Sequence, residues 1–154
     1  MKAIRFHDFG GVDVLRYEDA PVPQLGATEV RIQLKAAAIN HLDIWVRSGT
    51  RERSIPLPHI PGSDGAGIIS ELGSAVTGIQ TGERVVISPG LSCGSCQMCL
   101  SGWDNRCATY HVLGTREDGT YAEYVSVPAN NIVPILATMS FQEAAASSLV
   151  FLTA

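Results

Sequence analysis

The sequence predicts a mainly β domain with short helices, built as a barrel or a sandwich. Short apolar or alternating runs recur along its 154 residues, and segments rich in glycine and proline separate them. Many short strands with turn residues between them are typical of those two architectures. The 15 glycines and 8 prolines fit this expectation. The hydrophobic fraction of 45% suffices for a core at this length, where about 70% of the unfolded chain's surface becomes buried.

Runs that are expected to form strands occur from the N-terminus almost to the end of the chain. In order they are KAIRF, VRIQLKAAA, AGIISEL, ERVVI, TYAEYVSV and NIVPI. The segments FGGVD, APVPQLG, PLPHIPG and SPGLS carry the glycine and proline that favour turns. The length of 154 residues suggests a single domain, and no internal repeat is visible.

Two helices are expected, and each has a recognisable start. The first begins at Asn40, which suits an N-cap, with Asp43 in its first turn and Gly49 as its stop. The second begins at the capping box of Ser140 and Glu143 and continues through AAASSLVFLTA. It has no stop signal before the last residue, so we expect this chain to be truncated from a longer protein.

Composition argues against several classes of partner. The formal net charge is −4 and the basic residues are scattered, which argues against nucleic acid. No apolar run approaches the roughly 18 residues of a membrane span. The N-terminal MKAIRFHDFGG lacks the apolar region of a signal peptide. We therefore expect a cytoplasmic protein, in which thiols stay reduced.

All four cysteines lie close together, and their spacing predicts a metal site. Cys93, Cys96, Cys99 and Cys107 follow the pattern C-x2-C-x2-C-x7-C. Four thiolates at such spacing can close on one tetrahedral zinc. The alternatives are two disulfides or four free thiols, but cysteines three apart make strained bridges and the cytoplasm is reducing. Four sulfur ligands leave no open position for water or substrate, so this zinc is expected to be structural.

Several motifs in a fixed order resemble those of a known family. GSDGAGIISELGSAV carries Gly62, Gly67, Gly73 and Val76, and TGERVV, the cysteine-rich segment and GTYAEYVSVP follow it. In this order they resemble the medium-chain dehydrogenase/reductase superfamily, which contains zinc alcohol dehydrogenases and quinone oxidoreductases. The resemblance covers essentially the whole chain.

This resemblance implies a GroES-like, partly open β-barrel over residues 1–138, with a zinc-binding lobe at 90–110. Residues 139–154 would begin the helix that links toward a nucleotide-binding Rossmann domain. No G-x-G-x-x-G occurs in the chain, so we expect that domain to be absent from it. The segment that returns to finish the barrel is expected to be missing as well, which would leave an unpaired sheet edge.

Alcohol dehydrogenases of this family hold a second, catalytic zinc, and its ligand positions are replaced here. By alignment those positions fall at Asn40, Ser63 and Leu149, and the proton-relay hydroxyl falls at Leu42. We therefore expect no catalytic zinc, and the chain resembles the zinc-free quinone oxidoreductase branch.

An alternative metal site remains open. His41, His59, Asp43 and Asp64 are expected near one cleft and could form a different nitrogen and oxygen site. Against this, His59 lies in the proline-flanked PLPHIPG and can be a surface turn residue.

Asn40, Asp43 and Asp64 are the candidate catalytic residues that the resemblance implies. Asn40 can hydrogen-bond a carbonyl oxygen or the nicotinamide, or it can be only a helix N-cap. Asp43 can hold the geometry of the active site, or it can simply favour the N-terminus of a helix. Asp64 stands where the family has a glutamate beside the metal, and the alternative for it is a turn residue.

Two residues are candidates for contact with the cofactor, and two aromatic residues for the substrate cleft. His41 matches a position near the cofactor's pyrophosphate, where it could donate to phosphate, and Thr153 matches a threonine near the nicotinamide. A solvated residue at the helix start and a buried helix residue are the respective alternatives. Trp45 and Tyr110 can line the cleft or serve only in packing.

The leading interpretation is the catalytic-domain portion of an NAD(P)-dependent oxidoreductase with a structural zinc only. It would transfer a hydride to or from a small carbonyl, quinone or alcohol. A zinc-dependent alcohol dehydrogenase with atypical ligands is one alternative, and a stand-alone zinc-stabilised β-barrel that binds partners is another. The sequence does not choose between NAD and NADP, and the parent enzyme is expected to be a homodimer or homotetramer.

Overall fold

The computed structural model describes residues 1–50 and 54–153. Over these ranges the chain forms nine strands, three helices and three short 3-10 turns. The strands are β1 (Lys2–Phe6), β2 (Leu15–Asp19), β3 (Glu29–Ala38), β4 (Asp64–Leu72), β5 (Arg84–Ile87), β6 (Gly90–Leu91), β7 (His111–Val112), β8 (Tyr124–Pro128) and β9 (Ile132–Pro134). The helices are α1 (His41–Ser48), α2 (Gln97–Leu100) and α3 (Phe141–Thr153).

Five strands form the central sheet, in the order β8-β3-β4-β5-β9, and every neighbouring pair is antiparallel. β1 pairs with β2, and β6 pairs with β7, in two small sheets. β8 and β9 lie at opposite edges of the central sheet, so it is open and does not close into a barrel. The prediction of a mainly β fold is confirmed, in this open form, and each predicted run contains a strand.

The main core lies on one face of the central sheet. β3 shows why, because its residues alternate between buried and partly exposed positions as a strand with one covered face requires. The fully buried members of this cluster are Val30, Ile32, Val85, Ile87, Leu113 and Val127. Burying each such side chain contributes roughly 1.5–3 kcal/mol, so this cluster is a principal source of stability.

Helix α1 has the predicted start and stop. Asn40 is its N-cap in extended backbone conformation, and the Asp43 carboxylate accepts the backbone N–H of Asn40 at 2.7 Å. Gly49 ends the helix at φ 69°, a left-handed conformation that glycine adopts without strain. These local interactions place the first turn of α1 at the end of β3.

Helix α3 also begins as predicted. The Glu143 carboxylate accepts the backbone N–H of Ser140 at 2.9 Å, and the Ser140 hydroxyl accepts the Glu143 N–H at 3.2 Å. Ala144 and Ala145 are buried in one cluster with Ala66 of β4, so small side chains bring the helix close to the sheet. The expected continuation at Ala154 lies outside the described residues. None of the described helices has the length and apolar character needed to cross a membrane.

Candidate functional site

The cysteine-rich lobe is a loop that leaves the body of the domain at β6 and returns at β7. Gly90 pairs with Val112 and Leu91 with His111, which closes the base of the loop. Within it, Cys96 is the N-cap of α2, Cys99 lies in α2, and Cys107 follows a 3-10 turn. These short elements turn all four cysteines toward one point.

The sulfur atoms are spaced as ligands of one ion. All four Sγ atoms lie within 4.8 Å of one another. The Cys96–Cys99 and Cys93–Cys107 pairs are each 3.5 Å apart, and Cys93–Cys99 is 3.9 Å apart. A tetrahedral zinc with Zn–S bonds of about 2.3 Å has S–S edges of about 3.8 Å, whereas a disulfide needs about 2.05 Å. The four thiols are free, and their geometry fits a metal far better than two disulfides.

Hydrogen-bond donors surround these sulfur atoms. The backbone N–H of Cys96 donates to Cys93 Sγ at 3.3 Å, and the Thr109 hydroxyl lies 3.3 Å from Cys107 Sγ. Backbone N–H groups of Ser95 and Cys96 lower the pKa of the Cys93 thiol. The backbone N–H of Cys93, followed by Thr109, lowers the pKa of Cys107 to about 6. Such donors favour the thiolate form, which is the form that zinc binds.

A cleft of about 490 Å³ opens between α1, α3 and the segment that follows the lobe. It brings together both cofactor candidates and one catalytic candidate, because His41, Thr153 and Asn40 all line it. Trp45 and Tyr110 line it as well, so these two aromatic residues are cleft residues.

The carboxylate of Asp64 lies behind the wall of this cleft. Asp64 is fully buried and is not among the residues that line the cleft. Its Oδ2 accepts a hydrogen bond from Asn40 Nδ2 at 2.9 Å, and its Oδ1 accepts the backbone N–H of Leu149 at 3.0 Å. Burial raises the pKa of this carboxyl, while the two hydrogen bonds oppose the rise. Asp64 thus joins the start of α1 to the middle of α3.

Asp43 is buried too, and it has a partner that sequence reasoning missed. Its Oδ2 accepts the Tyr121 hydroxyl at 2.7 Å in addition to the Asn40 backbone N–H. Burial, and then the neighbouring Asp43 carboxylate, raise the pKa of Tyr121, so its hydroxyl stays protonated as a donor. Asp43 therefore fixes the first turn of α1 and does not face the cleft.

The positions of Ser63 and His59 are structural. The Ser63 hydroxyl donates to the backbone oxygen of Leu113 at 2.8 Å. His59 is only 2% exposed, with Nε2 at 2.9 Å from the backbone oxygen of Gly114 and its ring edge-on to Phe6. The prediction of a surface turn residue at His59 is wrong, because the second half of PLPHIPG, residues 59–62, is buried.

The alternative nitrogen and oxygen site is not assembled. Of its four candidates, only His41 lines the cleft, whereas His59, Asp43 and Asp64 are buried and hydrogen-bonded elsewhere. In the described part of the chain, the four cysteines form the one set of three or more possible metal ligands whose donor atoms converge.

His41 and Thr153 differ in how freely they face the cleft. The His41 ring packs edge-on against Trp45, with ring centroids 4.8 Å apart. The Thr153 hydroxyl donates back to the backbone oxygens of Leu149 and Val150, at 3.2 and 3.0 Å. It is exposed on α3, so the expected alternative of a buried helix residue is wrong.

Comparison with known proteins places this domain. The family model of the alcohol dehydrogenase GroES-like domain matches residues 26–137. The chain belongs to that family.

Relatives of this GroES-like domain include alcohol dehydrogenases and L-threonine 3-dehydrogenases. One from Geobacillus stearothermophilus is 38% identical over 133 residues, which are 85% of this chain and 39% of that protein. The crystal structure of an NAD-dependent alcohol dehydrogenase is 51% identical with a TM-score of 0.96, over 99% of this chain and 45% of that one. A cobalt- and zinc-bound thermostable alcohol dehydrogenase from Pyrobaculum aerophilum is 40% identical with a TM-score of 0.85, over 94% and 44%. The chain therefore spans less than half the length of these relatives.

Three polar residues on the cleft wall of this GroES-like domain were missed by sequence reasoning. They are His111, Thr115 and Arg116, which follow the lobe. His111 lies 2.8 Å through Nδ1 from the backbone oxygen of Thr109 and 2.6 Å through Nε2 from Glu117. No spacing in the sequence marks them, because the return of the chain at β7 is what brings them to the cleft.

Proposed function

We propose that this GroES-like domain is the catalytic-domain portion of an NAD(P)-dependent medium-chain oxidoreductase with one structural zinc and no catalytic zinc. Residues 1–138 would form that domain and residues 139–154 would begin the helix toward a nucleotide-binding domain. The bound NAD or NADP would supply or accept the hydride. The substrate would be a small carbonyl, quinone or alcohol, held in the cleft between α1 and α3.

The observation that carries the absence of a catalytic zinc is the hydrogen bonding around Asp64. The three positions aligned with ligands of that zinc offer donors where a metal needs lone pairs. The Asn40 side-chain amide and the Leu149 backbone N–H each donate a hydrogen bond to the Asp64 carboxylate, and the Ser63 hydroxyl donates to a backbone oxygen. The buried Asp64 carboxylate already accepts two hydrogen bonds, so it does not require a metal ion as its partner.

The cysteine cluster supports the structural zinc. Its four sulfur atoms lie within 4.8 Å of one another, three of the pairs at 3.5–3.9 Å, and backbone N–H groups stabilise the thiolate form of two of them. The lobe has little apolar packing of its own, since Leu100 and Trp103 are 76% and 58% exposed. A metal cross-link would therefore supply most of the stability of this loop.

The residues around the cleft would bind and orient the substrate and the cofactor directly, without a metal ion between them. Asn40, fixed by Asp64 and Asp43, presents a polar group at the cleft that can hydrogen-bond a substrate oxygen or the nicotinamide amide. The His41 ring, held by Trp45, can donate to a phosphate oxygen. Thr153 would act chiefly through its position on α3, because its hydroxyl is already bonded within the helix.

The parent protein is further proposed to be a homodimer or homotetramer in a reducing compartment such as the cytoplasm. The four free thiols support that compartment, because a secreted protein would tend to oxidise them. The scattered charge of the chain gives no support to a nucleic-acid partner.

A zinc-dependent alcohol dehydrogenase with atypical ligands is the second candidate. It is favoured by the Pyrobaculum aerophilum relative, whose structure is described as bound to cobalt and zinc. The two candidates differ in the number of zinc ions per chain.

Elemental analysis of the chain, purified without chelator or added metal, decides between them. One zinc per chain is the expected result, and it should be lost when the cysteines are modified. Two zinc ions per chain would overturn the proposal and make His41 the first ligand to test. No zinc would overturn the assignment of the cysteine cluster.

A further inference from the structure

We propose that the substrate of this domain carries its carbonyl or alcohol on a planar aromatic ring, and that Trp45 and Tyr110 are the side chains that contact the ring. This inference rests on the proposed function, since it names the class of molecule that the same cleft receives. It is drawn from the composition and the rigidity of the cleft walls.

Part of the cleft wall is apolar. Leu42, Ile55 and Val112 line the cleft together with Trp45 and Tyr110. No residue that lines it in the described ranges carries a carboxylate, so an ammonium group would find no counter-ion there. The polar residues His111, Thr115 and Arg116 line the cleft as well. A molecule that combines a flat apolar ring with one polar group suits this mixed lining.

Trp45 supplies an exposed and oriented ring. Its side chain is 41% exposed although it lies in a cleft. The His41 ring meets it at 4.8 Å and 65°, an edge-to-face arrangement that limits its rotation. A ring held in place loses little entropy when a second ring stacks on it.

Tyr110 is fixed from behind by a glycine. A Cβ atom on Gly90 would lie 2.6 Å from the Tyr110 hydroxyl, so the tyrosine ring occupies space that only glycine leaves free. Tyr110 follows the lobe directly, and its backbone N–H donates to the Cys107 oxygen at 3.0 Å. The second aromatic side chain of the cleft is therefore also positioned before any ligand binds.

Two sources could supply a planar ring, the substrate and the nicotinamide of the cofactor. The experiment separates them with three probes added to the ¹⁵N-labelled, zinc-loaded 154-residue chain: benzyl alcohol, cyclohexylmethanol and 1-methylnicotinamide. Dissociation constants come from the amide resonances of Asn40, Tyr110 and Thr153, which line the cleft. Because benzyl alcohol and cyclohexylmethanol differ mainly in planarity and π-electrons, their ratio measures ring recognition.

We expect benzyl alcohol to bind about two- to ten-fold more tightly than cyclohexylmethanol, the range that an aromatic pair provides. Trp45→Leu should abolish the preference, and Trp45→Phe should retain most of it. Trp103→Phe is the matched control, because it changes the other tryptophan, which lies in the lobe, and should leave the ratio unchanged.

Three results would overturn the inference. The first is equal binding of the two alcohols, or no binding of either. The second is a preference for benzyl alcohol that survives Trp45→Leu in a folded chain. The third is tighter binding of 1-methylnicotinamide than of benzyl alcohol. The last would assign the rings to the cofactor. If the zinc content is one per chain and ring preference is absent, the proposed function stands and only the substrate class fails.

Discussion

Asp64 has a buried carboxylate whose two oxygens serve different elements. One accepts from Asn40 at the start of α1 and the other from the backbone of α3 at Leu149. Burial raises the pKa of this group in the folded state above its ordinary value. Its contribution to stability is therefore complete below the unfolded pKa of about 3.9, and it is lost as the pH rises through the raised folded pKa.

Asp64→Asn should remove this pH dependence. The amide that replaces the carboxylate can still accept from Leu149, and it can donate to Asn40 if the Asn40 amide turns over. We expect the variant to lose less free energy of unfolding than the wild type between mildly acidic and neutral pH. Urea unfolding at both pH values, with zinc-loaded protein, measures the difference. The same change in stability for the two proteins would contradict the prediction.

Tyr121 should stabilise the domain through Asp43. Tyr121→Phe removes a 2.7 Å hydrogen bond to a buried carboxylate, and hydrogen bonds to charged groups contribute about 1.5–3 kcal/mol. Tyr124→Phe is the matched control, because that hydroxyl only accepts a 3.3 Å bond from Gln33, and we expect it to cost about 0.5–1 kcal/mol. Urea unfolding of both variants makes the comparison. Equal losses of unfolding free energy in the two variants would mean that the hydrogen bond to Asp43 stabilises the domain no more than the bond from Gln33 does.

At the residue scale, Asn40, His41 and Thr153 line one cleft, and their roles stay predictions. The alignment names all three as candidates. It could not show that Asp43 and Asp64 point inward, because burial depends on what packs over them. His59 was misjudged for the same reason, since flanking prolines suggest a turn but do not reveal that the turn is covered.

The lobe is joined to the domain at its base, where the short β6–β7 pair closes it, so we expect it to respond as a separate element. Cys99→Ser should release zinc and increase amide exchange across residues 93–107. The shifts of Asn40 and His41 in the cleft should stay the same. Ser101→Ala is the control, since that hydroxyl bonds the Gln97 oxygen within the lobe and is no ligand. Retention of zinc in Cys99→Ser would refute the ligand assignment.

Helices were easier to predict than the small sheets. At the starts of α1 and α3, the carboxylate of a residue three positions after the cap accepts the backbone N–H of the cap residue, which is a local signal. β2 was not expected, since LRYED alternates apolar and polar residues over only four positions; it forms a strand that pairs with β1. β6 and β7 have two residues each, too few for any periodic pattern.

Across the whole molecule, the central sheet is open and its two edge strands are β8 and β9. Val133 in β9 is 51% exposed and Phe151 on α3 is 78% exposed. The overall architecture was predictable from turn-separated strands and from the order of the motifs. The resemblance also predicted a partly open form with an unpaired edge. Which strands lie at the edges was not predictable, because that depends on pairing between strands distant in sequence.

The 154-residue chain alone should not catalyse hydride transfer. The cleft holds candidates that orient a substrate, but the chain has no glycine-rich phosphate loop to bind a dinucleotide. Incubation with NADPH and a quinone, followed at the nicotinamide absorbance, should show no oxidation above the buffer control. Turnover that Asn40→Ala abolishes would prove the expectation wrong.

The bond between Asp64 and Leu149 uses the main chain of α3, and this has a consequence for how the cleft can evolve. Because the donor is a backbone N–H, any side chain except proline at position 149 keeps it. Leu149 also lines the cleft. The size of the side chain at position 149 can therefore change, in natural or directed evolution, while the hydrogen bond from its backbone N–H to Asp64 is kept. New substrate preferences become accessible at this position without loss of the connection between the two helices.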